Sequence, residues 1–331
     1  MQNPSRRFSV APMMDWTDRH CRVFHRLLTR RATLYTEMVT ADAVLRGDRD
    51  HLLAYGHDEH PIALQLGGSD PVKLAEAASV GVAYGYDEIN LNVGCPSDRV
   101  QSGRFGACLM AEPGLVAACV AAMAAAIGPL VPVTVKCRIG IDDQDSETDF
   151  NRFIDVVAGD GGCRTFIVHA RKAWLAGLSP KQNREVPPLD HARVWRLKQR
   201  RPDLRIEING GIMSVREASA HLDHVDGVMV GRAAYQTPYM LAEVDRAFYG
   251  AAGPGRSRGE VLRALRPYIA THLAKGGRLN NVTRHVLGLY HGQPHARAFR
   301  RHLSERAVGA GAPIEVFDEA IAIAEAERIA A

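Results

Sequence analysis

The feature that most constrains the fold is a repeated alternation between short apolar segments and segments of helical composition. Eight apolar or alternating runs occur, and helix formers, often opened by Ser, Asp or Pro, fill the stretches between them. An eightfold alternation of strand and helix predicts a (β/α)₈ TIM barrel. A doubly wound sheet is the alternative, but no GxGxxG follows the first run. The runs span residues 7–13, 34–39, 61–68, 88–94, 131–140, 165–171, 205–211 and 226–232.

The strand signals stop near residue 255. The segment GPGRSRG (253–259) has the composition of a linker, and four helical patterns follow it. We therefore expect residues 1–252 to form the catalytic barrel and residues 253–331 to form a C-terminal all-helical domain. The four patterns lie at 259–275, 278–291, 294–308 and 313–329.

Charge is unevenly distributed along the chain. The formal net charge is only +4, yet residues 256–306 hold ten arginines and one lysine against two glutamates, an excess of nine positive charges. The remainder of the chain therefore carries a net charge of −5. A basic appendage on a mildly acidic body is typical of a protein that binds a polyanion, although a solvated helical surface has the same composition.

Cysteine spacing and hydropathy restrict the class of protein. The six cysteines form no CxxC pair and show no metal-ligand spacing, so we expect free thiols and no metal. The first ten residues lack the apolar run of a signal peptide, and the apolar segment 117–127 is shorter than the roughly 20 residues of a membrane span. We expect a cytoplasmic enzyme with no membrane partner, and the sequence implies no protein partner.

Polar residues gather at the ends of the predicted strands, where barrel enzymes carry catalytic and ligand-binding groups. Residues two apart in a strand share a face, so each such pair is expected to point the same way. The residues are Gln65 in the third strand, Asn90 and Asn92 in the fourth, Lys136 and Arg138 in the fifth, and His169 and Arg171 in the sixth.

The last two strands end in glycines. Asn209-Gly210-Gly211 and Gly231-Arg232 stand where barrels commonly hold a phosphate with loop amides and a cation, so they predict a phosphate-bearing cofactor. Lys136 has two interpretations: a Schiff-base lysine, as in aldolases, or a cation beside an electron-rich ring. The lysine alone does not decide between them.

Cys95 ends the fourth strand, between a glycine and a proline. A free thiol has a pKa of about 8.5, so at neutral pH it serves better as a proton donor than as a nucleophile unless its neighbours activate it. Pro96 fixes the turn that follows. The segment after it, SDRVQSGRFGACLM, is glycine-rich and could move as a lid. A lone cysteine in such a turn is otherwise most often structural.

The chain contains NVGCPS followed by FGACLM, within the longer segment LNVGCPSDRVQSG, and it also contains RKAWLAGLSPKQNRE. By the first two motifs it resembles the tRNA-dihydrouridine synthases, and by the two longer segments it resembles their A subfamily. The resemblance covers nearly the whole chain. Further blocks that carry it are VAPMMDWTDRHCR, YTEMVT, ALQLGGSDP, TVKCRIGIDD, INGGI and DGVMVGRAAYQTP.

The resemblance implies reduction of the C5=C6 bond of D-loop uridines 20 and 20a in tRNA, with FMN as cofactor and NADPH as electron source. Hydride would pass from reduced flavin to C6, and Cys95 would give the proton to C5. The implied flavin-binding residues are Pro12, Met13, Met14, Gln65, Lys136, His169, Asn209, Gly210, Gly211, Gly231 and Arg232. The implied tRNA contacts are Lys181 and Arg184 on the barrel and Arg297 and Arg300 on the helical domain.

Chemistry adds further expectations to that resemblance. Asn92, His169 or Arg171 could hold the uracil edge, and a paired base must leave its stack to reach a barrel mouth. Cys137 departs from the family pattern and should pack in the barrel wall. A small-molecule reductase or an aldolase would have no use for the basic appendage, and a non-catalytic RNA-binding protein would not need Cys95.

Overall fold

The computed structural model describes residues 6–326, except for the side chains of residues 98 and 99. Its centre is a closed barrel of eight parallel strands in sequence order, with the eighth strand beside the first. The strands are β1 (Phe8–Val10), β2 (Thr33–Thr40), β3 (Ile62–Gly67), β4 (Glu88–Val93), β5 (Val133–Arg138), β6 (Thr165–His169), β7 (Arg205–Asn209) and β8 (Gly227–Val230). Each lies within or close to a predicted run, so the barrel prediction is confirmed.

The helices surround the barrel and then form the C-terminal region. Within the barrel region they are α1 (Arg19–Leu28), α2 (Ala41–Arg46), α3 (Arg49–Leu53), α4 (Pro71–Ala83), α5 (Asp98–Ser102), α6 (Pro113–Ile127), α7 (Glu147–Gly159), α8 (His191–Arg200), α9 (Val215–His221), α10 (Arg232–Gln236) and α11 (Val244–Tyr249). The C-terminal region holds α12 (Arg258–Ala274), α13 (Leu279–Thr283), α14 (Ala296–Arg306) and α15 (Glu315–Glu325). Short 3₁₀ helices lie at His57–Glu59, Gly106–Ala111, Gln182–Arg184 and Pro238–Glu243.

Local sequence explains where these helices begin. Asp18 caps α1 by accepting a hydrogen bond from the Cys21 amide, and Ser257 caps α12 with Glu260 completing a capping box. No described helix is both long and apolar enough to cross a membrane. The predicted helix at 313–329 begins near its expected position, and its residues 327–329 lie outside the described part of the chain.

One predicted helix, 278–291, is largely wrong. The structure has a helix only over α13 and then a series of turns, in which the Val286 and Leu289 amides bond carbonyls three residues back. A Cβ at Gly288 would lie 2.4 Å from the carbonyl oxygen of Gln236, so the backbone here packs directly on the barrel. The backbone around Gly288 lies against the backbone around Gln236, and turns take the place of the second half of the predicted helix.

Alternation along the strands divides the side chains between two environments. Cys137, as expected, is fully buried in the large apolar cluster between the strands and the helices. The barrel interior has a separate small apolar cluster that includes Tyr35, Ile167 and Met229. All six cysteines are free thiols, as predicted.

Candidate active site

A cavity of about 480 Å³ opens at the C-terminal ends of the strands, a size typical of ligand sites. Most of the predicted site residues line it together. They are Pro12, Met13, Met14, Gln65, Asn92, Cys95, Lys136, His169, Arg184, Asn209, Gly210, Gly211, Gly231 and Arg232. Four predicted residues do not line it: Arg171, Lys181, Arg297 and Arg300.

Cys95 is held at this mouth by its backbone. The Asn92 Oδ1 atom accepts hydrogen bonds from the amides of Gly94 (3.0 Å) and Cys95 (2.9 Å), so the turn after β4 folds back on the strand. The half-buried thiol lies 3.5 Å from the Ser97 hydroxyl. The Asn92 oxygen is thereby saturated, and its Nδ2 donates to Gln65, which leaves one N–H for a ligand.

The cavity has an excess of positive charge. Lys136, Arg138, Arg184 and Arg232 line it, whereas Asp15 is its single carboxylate lining residue within the described chain. The Lys136 ammonium has no hydrogen-bond or ion-pair partner among the described residues. Burial, reinforced by Arg138, lowers the pKa of Lys136 to about 8. The site is therefore complementary to an anion.

His169 stands among these cations as a neutral ring. Burial, followed by the charges of Arg138 and Lys136, lowers its pKa well below the ordinary value. A neutral imidazole can donate one hydrogen bond and accept another, so His169 suits a polar uncharged group of a ligand.

The two glycine loops leave amides unpaired around the cavity. The amides of Gly211 and Ile212, after β7, donate no hydrogen bond within the described chain, and neither do those of Arg232 and Ala233, after β8. Amides without an intramolecular acceptor at the rim of a cavity are available to an acceptor group of a ligand.

Backbone conformation and the space available for a side chain require glycine at positions 210 and 211. Both have positive φ, and a Cβ at Gly210 would lie 2.9 Å from His169 Nε2. A side chain there would fill the space beside His169. The unpaired amides, the cations and this open cradle together fit a phosphate-bearing cofactor.

Arg171 does not share the inner face with His169, so that expectation is wrong. β6 ends at His169, and beyond a strand the alternation of side chains no longer holds. The Arg171 guanidinium instead donates to the Pro187 carbonyl in the loop before α8. Arg232 reaches the same loop, where its Nη1 lies 2.7 Å from Glu185 Oε1.

The predicted tRNA contacts lie outside the cavity, except for Arg184 at its edge. Lys181 is exposed on the loop between β6 and α8. Arg297 and Arg300 are exposed on α14, and neither pairs with a described carboxylate. His302 and Arg306 face α15, where they contact Val316 and Glu319, so helical periodicity places Arg297 and Arg300 on the opposite side.

Two further residues of the mouth have roles that the sequence does not predict. The interval of two after Lys136 predicts that Arg138 lies at the strand end but not what it contacts. Its guanidinium donates to the carbonyls of Gly94 (2.8 Å), Lys172 (3.0 Å) and Asn183 (3.1 Å) and so joins the Cys95 turn to the next loop. Trp16 also lines the cavity and stacks on Tyr235 with ring centroids 4.3 Å apart.

Comparison with known proteins agrees with this geometry. The model of the dihydrouridine synthase (Dus) family matches residues 9–324. The tRNA-dihydrouridine(20/20a) synthase of Vibrio parahaemolyticus is 58% identical over 316 residues, which is 96% of each chain. That of Escherichia coli K12 is 58% identical over 324 residues, covering 98% of this chain and 93% of its own.

A solved structure of 2-naphthoyl-CoA reductase superposes with a TM-score of 0.54 at 9% identity, over 72% of this chain and 49% of its own, and that likeness concerns the fold alone. The family match and the near full-length identity are decisive: the chain belongs to the dihydrouridine synthase family.

Proposed function

We propose that the protein is a tRNA-dihydrouridine(20/20a) synthase that reduces D-loop uridines with FMN as cofactor and NADPH as electron source. The observation that carries the proposal is the 58% identity, over almost the whole chain, to proteins with that name. The cavity supports it independently, because it combines unpaired backbone amides, four cations and one thiol in a single mouth.

FMN fits the residues present. The unpaired amides around Gly211 and Arg232 would hold its phosphate, and Lys136 would stand beside the ring system. Gln65, His169 and Asn209 offer further polar groups, while Pro12, Met13 and Met14 offer apolar surface. The flavin, when bound, supplies the hydride for C6 of the uracil.

Cys95 would hold the proton that goes to C5. Asn92 fixes the backbone of its turn, and Arg138 ties that turn to the neighbouring loop. The cations of the mouth would stabilise negative charge that develops on the uracil as hydride arrives. Asn92 retains one N–H and His169 is neutral, so both remain candidates to hold the uracil edge.

The helical region would hold the tRNA. We assign residues 1–252 to the catalytic domain and residues 253–331 to a tRNA-binding domain, and place the enzyme in the cytoplasm with its substrate. Arg297 and Arg300 have no acidic partner in the described chain, which supports their availability for phosphates. Lys181 and Arg184 would continue this contact on the barrel, and Arg171 would act only through the loop that it braces.

The test is a reaction with an unmodified tRNA transcript, FMN and NADPH. The expected product carries uridines that are heavier by two hydrogen atoms at positions 20 and 20a, detected by mass spectrometry of nuclease fragments. A transcript with cytidine at both positions is the control. Absence of any mass gain in the uridine transcript would contradict the proposal. Borohydride trapping of a carbonyl substrate on Lys136 would instead support the aldolase interpretation.

A further inference from the structure

A hydrogen-bond ladder runs through the barrel interior from the Cys95 turn to the opposite end of the barrel. Its members come from three adjacent strands, where Gln65 stands beside Asn90 and Asn90 beside Thr134 in the parallel register. All are buried. The ladder consists of Asn92, Gln65, Asn90, Thr134 and Glu88.

Each link joins a donor to an acceptor on a neighbouring strand. Asn92 Nδ2 donates to Gln65 Oε1 (2.8 Å), and Gln65 Nε2 donates to Asn90 Oδ1 (2.7 Å). Asn90 Nδ2 then donates to Thr134 Oγ1 (2.8 Å), whose hydroxyl donates to Glu88 Oε1. Every hydrogen therefore points away from Cys95 and towards Glu88.

The two ends force this direction. A carboxylate only accepts, so Thr134 must donate to Glu88 and accept from Asn90. A backbone amide only donates, so Asn92 must turn its oxygen to Gly94 and Cys95 and its nitrogen to Gln65. The carboxylate at one end and the backbone amides at the other therefore determine the orientations of all three carboxamides. Both ends require the same orientations.

Glu88 is itself fixed. Its Oε1 accepts from the Tyr35 hydroxyl (2.7 Å), and its Oε2 pairs with the Arg6 guanidinium. Arg6 also pairs with Glu207 at 2.8 Å. The far end of the ladder is therefore a charge-paired anchor inside the barrel.

We propose that Glu88, Thr134 and Asn90, which do not touch the Cys95 turn, are positioning residues for it. They set the carboxamide orientations of Gln65 and Asn92, and Asn92 in turn holds the Gly94 and Cys95 amides. The inference rests on the proposed function for the role of Cys95, but the geometry that it explains exists without any ligand.

The test removes one link and then restores it. Thr134→Val keeps the side-chain shape but deletes the hydroxyl, and Thr134→Ser returns the hydroxyl. In Thr134→Val we expect the Gly94 and Cys95 amides to exchange hydrogen roughly threefold faster or more, measured by NMR on the whole flavin-free protein. Reoxidation of the reduced enzyme by tRNA should slow by at least a similar factor, and Thr134→Ser should restore both.

Ser9→Ala is the matched control, because Ser9 is a fully buried barrel residue whose hydroxyl has no partner in the described chain. It should leave the exchange of both amides unchanged. If Thr134→Val does not fold, Asn90→Leu interrupts the same ladder one link nearer to Cys95 and is measured instead.

Three results would overturn the proposal: wild-type exchange in the interrupted variant, a Thr134→Ser variant as impaired as Thr134→Val, or an equal effect in Ser9→Ala. The exchange measurement needs no tRNA. An inactive wild-type enzyme would therefore contradict the proposed function alone, and unchanged exchange in an active enzyme would contradict the ladder alone.

Discussion

The two ends of the barrel interior differ in whether their cations have carboxylate partners. At the N-terminal end, Arg6 pairs with Glu88 and Glu207, and Arg205 also lies 3.2 Å from Glu207. At the mouth, Lys136 and Arg138 have no carboxylate partner in the described chain, and Arg138 bonds only to backbone carbonyls.

The pKa values of the cations at the two ends shift in opposite directions. Burial opposes the charge of Arg6, but Glu207 and Tyr35 outweigh it and raise the Arg6 pKa. Burial dominates at the mouth, where it lowers the pKa of Arg138 to about 10 and that of Lys136 to about 8. A cation withdrawn from water without a carboxylate partner is costly. The mouth therefore suits an anionic ligand, whereas the other end carries its own opposite charges.

The largest effect is expected from Cys95→Ala. Loss of the proton donor should reduce dihydrouridine formation by roughly 10²–10⁴-fold, while flavin binding and its reduction by NADPH persist. Cys108→Ala is the matched control, since Cys108 is another half-buried thiol, in the segment that follows Cys95. Product is measured in tRNA over a wide pH range. Normal product formation by Cys95→Ala at every pH would remove Cys95 from the mechanism.

Removing a cation should change the free energy of unfolding differently at the two ends. Arg6→Met leaves Glu88 buried without a cation and leaves Glu207 with Arg205 alone, so it should lower the free energy of unfolding by about 3–5 kcal/mol. Lys136→Met removes an unpartnered cation, so in flavin-free protein it should cost nothing or stabilise the fold. Urea denaturation measures both. Equal losses in the two variants would mean that the ends do not differ as described.

The pH dependence of FMN binding should identify Lys136. Its folded-state pKa of about 8 lies below its ordinary value of 10.5, so unfolding of the flavin-free protein takes up a proton between these values and stability rises with pH there. A bound anion favours charged Lys136, so FMN affinity should fall above pH 8 by up to tenfold per pH unit. Fluorescence titration should show this slope in the wild type and not in Lys136→Met. The same slope in both proteins would assign it to another group.

The contrast between paired and unpaired cations recurs on the helical region. Arg263 and Arg266 pair with Glu325 and Asp318, whereas Arg297 and Arg300 have no described acidic partner. Arg297→Ala with Arg300→Ala should raise the apparent KM for tRNA and flatten the log–log salt dependence of binding by roughly 0.7–0.9 for each phosphate that is no longer neutralised. Arg263→Ala with Arg266→Ala should keep the wild-type slope. A double variant at 297 and 300 that kept this slope would exclude α14 as the tRNA face.

Much of the mouth was predictable because barrel strands alternate and because their C-terminal ends carry function. Gln65, Lys136 and His169 follow from those two rules. Arg171 does not, because it lies beyond the end of β6. Composition also does not show which side chains of α14 make polar contacts with α15, and in the structure His302 and Arg306 make them.

The paired end of the barrel was not predictable from local pattern. Arg6, Glu88 and Glu207 are far apart in sequence, and a buried charge in a strand gives no signal of which distant residue neutralises it. The same holds for the turns after α13, where contact of Gly288 with the Gln236 backbone overrides helical composition.

We propose that the mouth holds a flavin whose electrons pass to uridine in tRNA. An anaerobic absorption measurement at about 450 nm, where oxidised flavin absorbs, tests this most directly. We expect the purified protein to show this band, NADPH to bleach it, and unmodified tRNA to restore it, whereas a transcript without the target uridines should not. A protein that binds no flavin, or a bleached band that tRNA fails to restore, would contradict flavin-dependent reduction of tRNA.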